Sequence, residues 1–310
     1  MAKINIKSIA RATRTENAIE AAIDADGGSR FRQLQRKWFP LIEDAYRGED
    51  GGFRSHLGAS QIGRKCSREV WLGYRWAVVK RFKARMLRLV NRGHLEEARF
   101  MSLLEMIGCQ FHLDPSGEQE RISDHGGHYG SALDAVIWGI PDCPGEWILG
   151  EFKTHNTKSF CKLAVEGVQV AKPEHYDQMQ SCMARRGIFK CIYIAVNKND
   201  DDIFCQLVLF DQKRAEEIGA KAADLITRRT PPPRISDDPS HFDCTYCDAH
   251  QRCHFPDQAP VFKNCRTCRH SIADIPSGTW GCELHNIMLD KAKQLAGCEA
   301  WDAIPELTKR

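Results

Sequence analysis

The side chains able to do chemistry fall into three sets by type and spacing. Cys244, Cys247 and Cys253 stand as C-x2-C-x5-C, with Cys66 alone far upstream. Cys265, Cys268, Cys282 and Cys298 follow as C-x2-C-x13-C-x15-C. Thiolates paired on tight turns wrap a soft ion or cluster, so both sets predict metal binding. The second suits a tetrahedral four-cysteine zinc site with a C-x2-C knuckle as one half, and His270 or His285 is an alternative ligand across the long last gap. The third set carries oxygen: Asp134, Glu151 and Lys153. Two carboxylates suit Mg²⁺ or Mn²⁺ rather than a soft metal. A cation there would lower the pKa of bound water, and the lysine would steady charge developing on a phosphate. E-x-K also arises as an ordinary same-face salt bridge in a strand, so its surroundings decide its meaning.

Those residues need elements to hold them. The segment HYGSALDAVIWGI, with Asp134 in it, alternates like a strand; PDCPG makes a turn; EWILGEFKT forms the next strand. Residues i and i+2 of a strand share a face, so Glu151 and Lys153 point one way and Phe152 the other. Pairing around the turn would bring Asp134 beside Glu151. Pro173 opens a helix, PEHYDQMQSCMARRG, that ends at Gly187. Strands CIYIAVNK and IFCQLVLF follow, then a helix from Asp211 to about Arg229, stopped by Pro231-Pro232-Pro233. That order predicts an α/β core with a mixed sheet.

Upstream, an amphipathic helix is expected to end at Gly27-Gly28, and a glycine break falls at Gly51-Gly52. Two further helices are predicted, one from Ser60 carrying Val70, Trp71 and Tyr74, the other from about Asn91 to Met106. Between them the chain holds Arg75, Lys80, Arg81, Lys83, Arg85, Arg88 and Arg92 with no acid, a stripe suited to a phosphate backbone or to a solvated helix face. Cys109, Cys143, Cys161, Cys182, Cys191 and Cys205 lack ligand spacing, and Cys191 and Cys205 sit in apolar strands as core residues.

The 310 residues are 42% hydrophobic and 27% charged with a net charge of +3, which is ordinary globular material large enough to bury a core. No apolar run is long enough for a membrane span or a signal-peptide core. Many cysteines without a secretion signal predict a reducing, cytoplasmic setting rather than a disulfide scaffold. No P-loop, dinucleotide fingerprint or Ser-His-Asp set is present.

GSALD…GEFKT resembles the motif pair of the PD-(D/E)XK nuclease superfamily, and specifically its RecB-like branch. In that branch a G-H motif on an upstream helix supplies a histidine metal ligand; RGHLEEARF matches it at His94, with Glu97 one turn on. The branch's glutamine-x-x-x-tyrosine helix is matched at Gln178, while the tyrosine position is Cys182, and Tyr176 on the same helix is the expected substitute. Bacteriophage-encoded exonucleases of this branch resemble PEHYDQMQ followed by AVNKND. Cys66, Cys244, Cys247 and Cys253 are similar to the branch's iron–sulfur staple, so the resemblance implies a [4Fe–4S] cluster there, with Zn²⁺ as the alternative. The likeness covers roughly residues 60–255.

The fold this implies is α/β, a restriction-endonuclease-like core with a mixed β-sheet flanked by helices, plus a C-terminal cysteine-rich metal-binding segment. Its expected parts are an N-terminal helical extension (1–60), a nuclease core with preceding helices (61–230), an iron–sulfur staple segment (231–258) and a four-cysteine zinc-like segment (259–310). The implied activity is a Mg²⁺- or Mn²⁺-dependent DNA exonuclease on linear ends, in phage recombination or DNA processing. His94, Asp134 and Glu151 would be its metal ligands, Lys153 its assistant and Gln178 a positioning group. The partner is DNA, with unwinding left to a separate recombination or helicase protein. Rival readings are a catalytically silent DNA-binding or adaptor module, and an endonuclease on the same core.

Overall fold

The computed structural model describes residues 9–45, 53–79 and 83–308. The chain divides into two compact units, one of residues 1–49, 82–122 and 132–215, the other of 50–81, 123–131 and 216–310.

The first unit runs α1 (Thr13–Asp26), α2 (Ser29–Ala45), α3 (Ala84–Met106), β1 (Gln110–Phe111), β2 (Ala135–Ile140), β3 (Cys143–His155), α4 (Thr157–Ala171), α5 (Pro173–Arg186), β4 (Lys190–Asn197) and β5 (Ile203–Leu209). Its five strands lie in chain order, antiparallel except for β3 and β4, which pair in parallel across the α4–α5 crossover. A parallel pair must be covered on both faces, and β4 is buried along its length after Lys190. Ile137, Ile148, Phe152, Ile192 and Ile194 form the core with Phe100 and Leu104 of α3. Ile19, Trp38 and Ile42 of the first two helices join the same core. Residues 13–45 are thus built into this unit; the Gly51-Gly52 break lies outside the described residues.

Two helix ends fall where glycine can adopt a positive φ. Gly27 caps α1 at φ 57° and Gly187 caps α5 at φ 70°, each returning its N–H to the carbonyl four residues back. Strand HYGSALDAVIWGI differs from expectation, because it is two strands, Tyr129–Ala132 and Ala135–Ile140. Asp134 occupies the bend between them, not a strand. Its carboxylate Oδ2 accepts the Phe152 N–H at 2.8 Å, so a side chain takes the ladder partner that the backbone would have supplied.

In the second unit, Leu57–Gly58 pairs in parallel with Tyr129–Gly130, and Ser271–Asp274, Thr279–Cys282 and Ile287–Leu289 form an antiparallel meander. The helix expected from Ser60 is two short ones, Ala59–Ile62 and Ser67–Tyr74, with Cys66 at the cap of the second. Arg266, 1% exposed, lies 4.0 Å from the Trp76 ring centroid and 4.5 Å from that of Trp280. Its guanidinium donates to Gln294 Oε1 and to the carbonyls of Tyr74 and Ser55. A glycine pair, Gly126 and Gly278, holds the Asp274–Thr279 turn so close to residue 126 that a Cβ on either would overlap the other's backbone.

Among the described residues, no helix is long and apolar enough to cross a membrane.

Candidate active site

The last turn of β3's ladder assembles the oxygen-bearing set. Ala135 pairs with Gly150, which sets Asp134 beside Glu151, and Phe152 turns inward against Phe100 with ring centroids 5.2 Å apart. Lys153 forms an ion pair with Glu151 Oε1 and lies 3.4 Å from Asp134 Oδ2. Gln178 of α5 donates to Glu151 Oε2 at 3.1 Å. Asp134, Glu151, Lys153 and Gln178 therefore converge on one place.

His94 joins through intermediaries. Its Nδ1 lies 3.3 Å from Glu97 Oε1, one turn on along α3. Gln119 bridges onward, donating from Nε2 to Glu97 Oε2 at 3.1 Å and to the Asp134 carbonyl at 3.3 Å. Gln119 had no sequence signal; Glu97 had one only as the neighbour of His94.

Three carboxylates here face a single ammonium. Burial raises the Glu151 carboxyl well above the ordinary range, with Lys153 pulling it back and Asp134 pushing it further up. Glu97 is raised by burial and then by the Asp134 charge. Burial would lower Lys153, but Asp134 and Glu151 more than reverse that and hold it firmly protonated. Such a set fits a hard cation, whose charge would relieve the mutual repulsion of oxygens that are its preferred ligands. Among the described residues, however, no three His, Cys, Asp or Glu side chains stand close enough together to grip an ion as placed.

A second polar cluster, unmarked in the sequence, lies along the same face. His155, two residues past Lys153, contacts Ser159 Oγ at 3.1 Å through Nδ1 and Tyr193 Oη at 2.9 Å through Nε2. Tyr193 Oη also meets His175 Nδ1 at 2.8 Å. Burial, then Lys172 and Lys153, lower His155 to about 4. Burial and Lys153 push His175 well below its ordinary value, so both imidazoles are neutral at pH 7.

Neither a family profile nor a curated protein sequence matches this chain. Solved structures do align with it at a distance. The alkaline exonuclease LHK-Exo from Laribacter hongkongensis has a TM-score of 0.39 at 21% identity, over 55% of this chain and 86% of that one. LHK-Exo in complex with dAMP gives 0.40 at 20% identity over the same shares. SSO0001 gives 0.40 at 16% identity, over 72% of this chain and 95% of that one. Likenesses this remote carry no argument about chemistry, which rests on the side chains.

Those side chains include the thiols, all fourteen of them free. In the second unit Cys66, Cys244, Cys247 and Cys253 line one small pocket of about 20 Å³. Burial raises Cys244, with Cys253 and Cys66 adding to it, and pushes Cys247 up to about 11, with Glu69 and then Cys66 and Cys253 contributing. Cys265 is likewise raised to about 11 by burial and by Cys268, Cys298 and Cys282. Cys298 Sγ also lies 3.6 Å from His285 Nε2. Each set is thus gathered within electrostatic reach of its members, but among the described residues no three of these side chains stand close enough together to grip an ion as placed.

The basic stripe is shorter than the sequence suggested. Arg75 is buried in the second unit, 5.1 Å from the Trp280 ring centroid, and Lys80 and Arg81 lie outside the described residues. Lys83, Arg85, Arg88 and Arg92 remain exposed, the three arginines on the first half of α3. Tyr176 points to Asp211 Oδ2 at 3.5 Å, and Cys182, at the expected tyrosine position, is buried.

Proposed function

We propose that this protein is a Mg²⁺- or Mn²⁺-dependent nuclease that hydrolyses phosphodiester bonds of linear DNA. The observation that carries the reading is the convergence of Asp134, Glu151 and Lys153, backed by Gln178 on one side and His94–Glu97 on the other. Asp134, Glu151 and His94 would hold the cation, with Glu97 as an added carboxylate. When bound, that cation supplies a more acidic water and neutralises charge on the scissile phosphate.

The chain's own groups have separable tasks. Lys153, kept protonated by two carboxylates, orients the attacking water or steadies the negative charge that grows on the phosphate in the transition state. Gln178 fixes one oxygen of Glu151 and leaves the other toward Lys153. His94 and Gln119 clamp Glu97 from its two oxygens. Arg85, Arg88 and Arg92 on α3 offer charge for the DNA backbone, on the helix that carries His94.

The same proposal assigns a [4Fe–4S] cluster, or Zn²⁺ in its place, to Cys66, Cys244, Cys247 and Cys253, and Zn²⁺ to Cys265, Cys268, Cys282 and Cys298. Free thiols fit a reducing, cytoplasmic setting. The role is phage recombination or DNA processing, with any unwinding supplied by a separate helicase partner. The segments are 1–60 as N-terminal helices, 61–230 as nuclease core, 231–258 as staple and 259–310 as zinc segment.

The test is degradation of end-labelled linear DNA against covalently closed circles, using anaerobically purified protein with Mn²⁺ and Glu151→Ala beside wild type. Loss of linear DNA alone, abolished in the variant, is the expected result. Cutting of circles would move the assignment to an endonuclease, and inactivity with metals bound would move it to a silent DNA-binding module.

A further inference from the structure

The polar groups that the proposed chemistry leaves unused form a chain of hydrogen bonds, Ser159–His155–Tyr193–His175. Each link belongs to a different element: α4, β3, β4 and α5. Two of its members are register-matched to the active site. Tyr193 is the β4 partner of Glu151 across the parallel ladder. His175 stands three residues before Gln178, and residues i and i+3 share a helix face. One face of α5 is therefore pinned to the sheet at two adjacent points, His175 on Tyr193 and Gln178 on Glu151.

The chain also restricts its own protons. Tyr193 has one hydroxyl hydrogen, so it can donate to only one imidazole and must accept from at least one of them; with that hydrogen inside the chain it donates to one and accepts from the other. If it donates to His155 Nε2, the proton of His155 is on Nδ1 and His175 donates from Nδ1. If it donates to His175 Nδ1, then His155 donates from Nε2 and the proton of His175 is on Nε2. With the hydroxyl hydrogen inside the chain both neutral imidazoles are the same tautomer, Nδ1–H together or Nε2–H together, and the pairing that breaks the chain is Nδ1–H on His155 with Nε2–H on His175.

We propose that His155, Tyr193 and His175 are positioning residues, a relay that fixes the first turn of α5 and holds Gln178 on Glu151. This deepens the nuclease reading and rests on it. Partners placed behind the ligands of a metal site typically alter metal affinity or rate by about 10–100-fold when removed.

The test uses the full chain purified anaerobically, with Tyr193→Phe, which deletes one oxygen and keeps the ring. On linear DNA with Mn²⁺, kcat is expected to fall about tenfold. KM for DNA should be unchanged, and the Mn²⁺ dissociation constant from calorimetry should rise about tenfold. His175→Leu, at a half-buried site, should behave like Tyr193→Phe, whereas His175→Gln, which can still hydrogen-bond, should keep most of the rate. ¹⁵N spectra of the imidazoles should show matching tautomers in wild type and independent ones in Tyr193→Phe. Nδ1–H on His155 with Nε2–H on His175 in wild type, or a Tyr193→Phe protein with wild-type rate and Mn²⁺ affinity, would overturn the relay and leave the nuclease reading standing. A wild-type chain that binds Mn²⁺ but cuts no DNA would remove the nuclease reading. The relay is then supported by decoupled tautomers with weakened Mn²⁺ binding in Tyr193→Phe, and overturned without them.

Discussion

Acid should loosen the first unit through His155, and the size of the effect follows from its burial. The imidazole titrates at about 4 in the fold against an ordinary 6.5. A depressed histidine binds its proton more readily in the unfolded chain, so its contribution is present above pH 6.5 and is lost as pH falls through 4. With 1.36 kcal/mol per pKa unit, lowering the pH from about 7 to about 4.5 removes about 2 kcal/mol through this one side chain. Carboxylates also respond over that range, so the measurement must be differential. Amide hydrogen exchange of β4 in wild type and His155→Gln isolates the term, because glutamine does not titrate and the carboxylates cancel. Between the two pH values, wild type should lose about thirtyfold more protection than the variant. Parallel pH profiles for the two proteins would refute the neutral, buried assignment and the lysine field invoked for it.

Gly278→Ala should cost about 3 kcal/mol or more, because Gly278 has φ +69° and its Cβ would overlap the Gly126 carbonyl; Gly108→Ala, at φ +91° with nothing within 4 Å, should cost only about 1 kcal/mol. Thermal unfolding of both variants decides it, and equal melting temperatures would refute the close approach. Elemental analysis of the full chain should give about one zinc and about four iron, or a second zinc, per chain. Cys282→Ser should lose the one zinc and keep the rest, and Cys244→Ser should do the reverse; unchanged metal content in either would dismiss that site.

What the sequence made legible was local. Gly27 and Gly187 punctuate helices because only a positive φ closes those ends, and the E-x-K face follows from the two-residue period of a strand. Asp134 was visible as a carboxylate but misplaced in a strand, since alternation cannot reveal that a side chain has replaced a ladder bond. Arg75 looked like one of a run of surface charges. Its aromatic partner Trp280 is some two hundred residues away, and a linear charge pattern carries no trace of it. The histidine–tyrosine chain was hidden for the same reason: its links span up to 38 residues and depend on which strands the crossover sets side by side.

On the proposed nuclease reading, the bend at Asp134 bears on how a descendant that had stopped cutting DNA would look. One oxygen of that carboxylate is committed to the Phe152 backbone and splits one run of chain between two sheets. Selection for folding alone would keep an aspartate there after catalysis had gone. Glu151 and Lys153 lack that second employment: their bonds run to each other, to Gln178, to Asp134 and to a single carbonyl. Loss of activity should therefore be written first at positions 151 and 153, and an intact Asp134 in a related chain says little about whether it still cleaves.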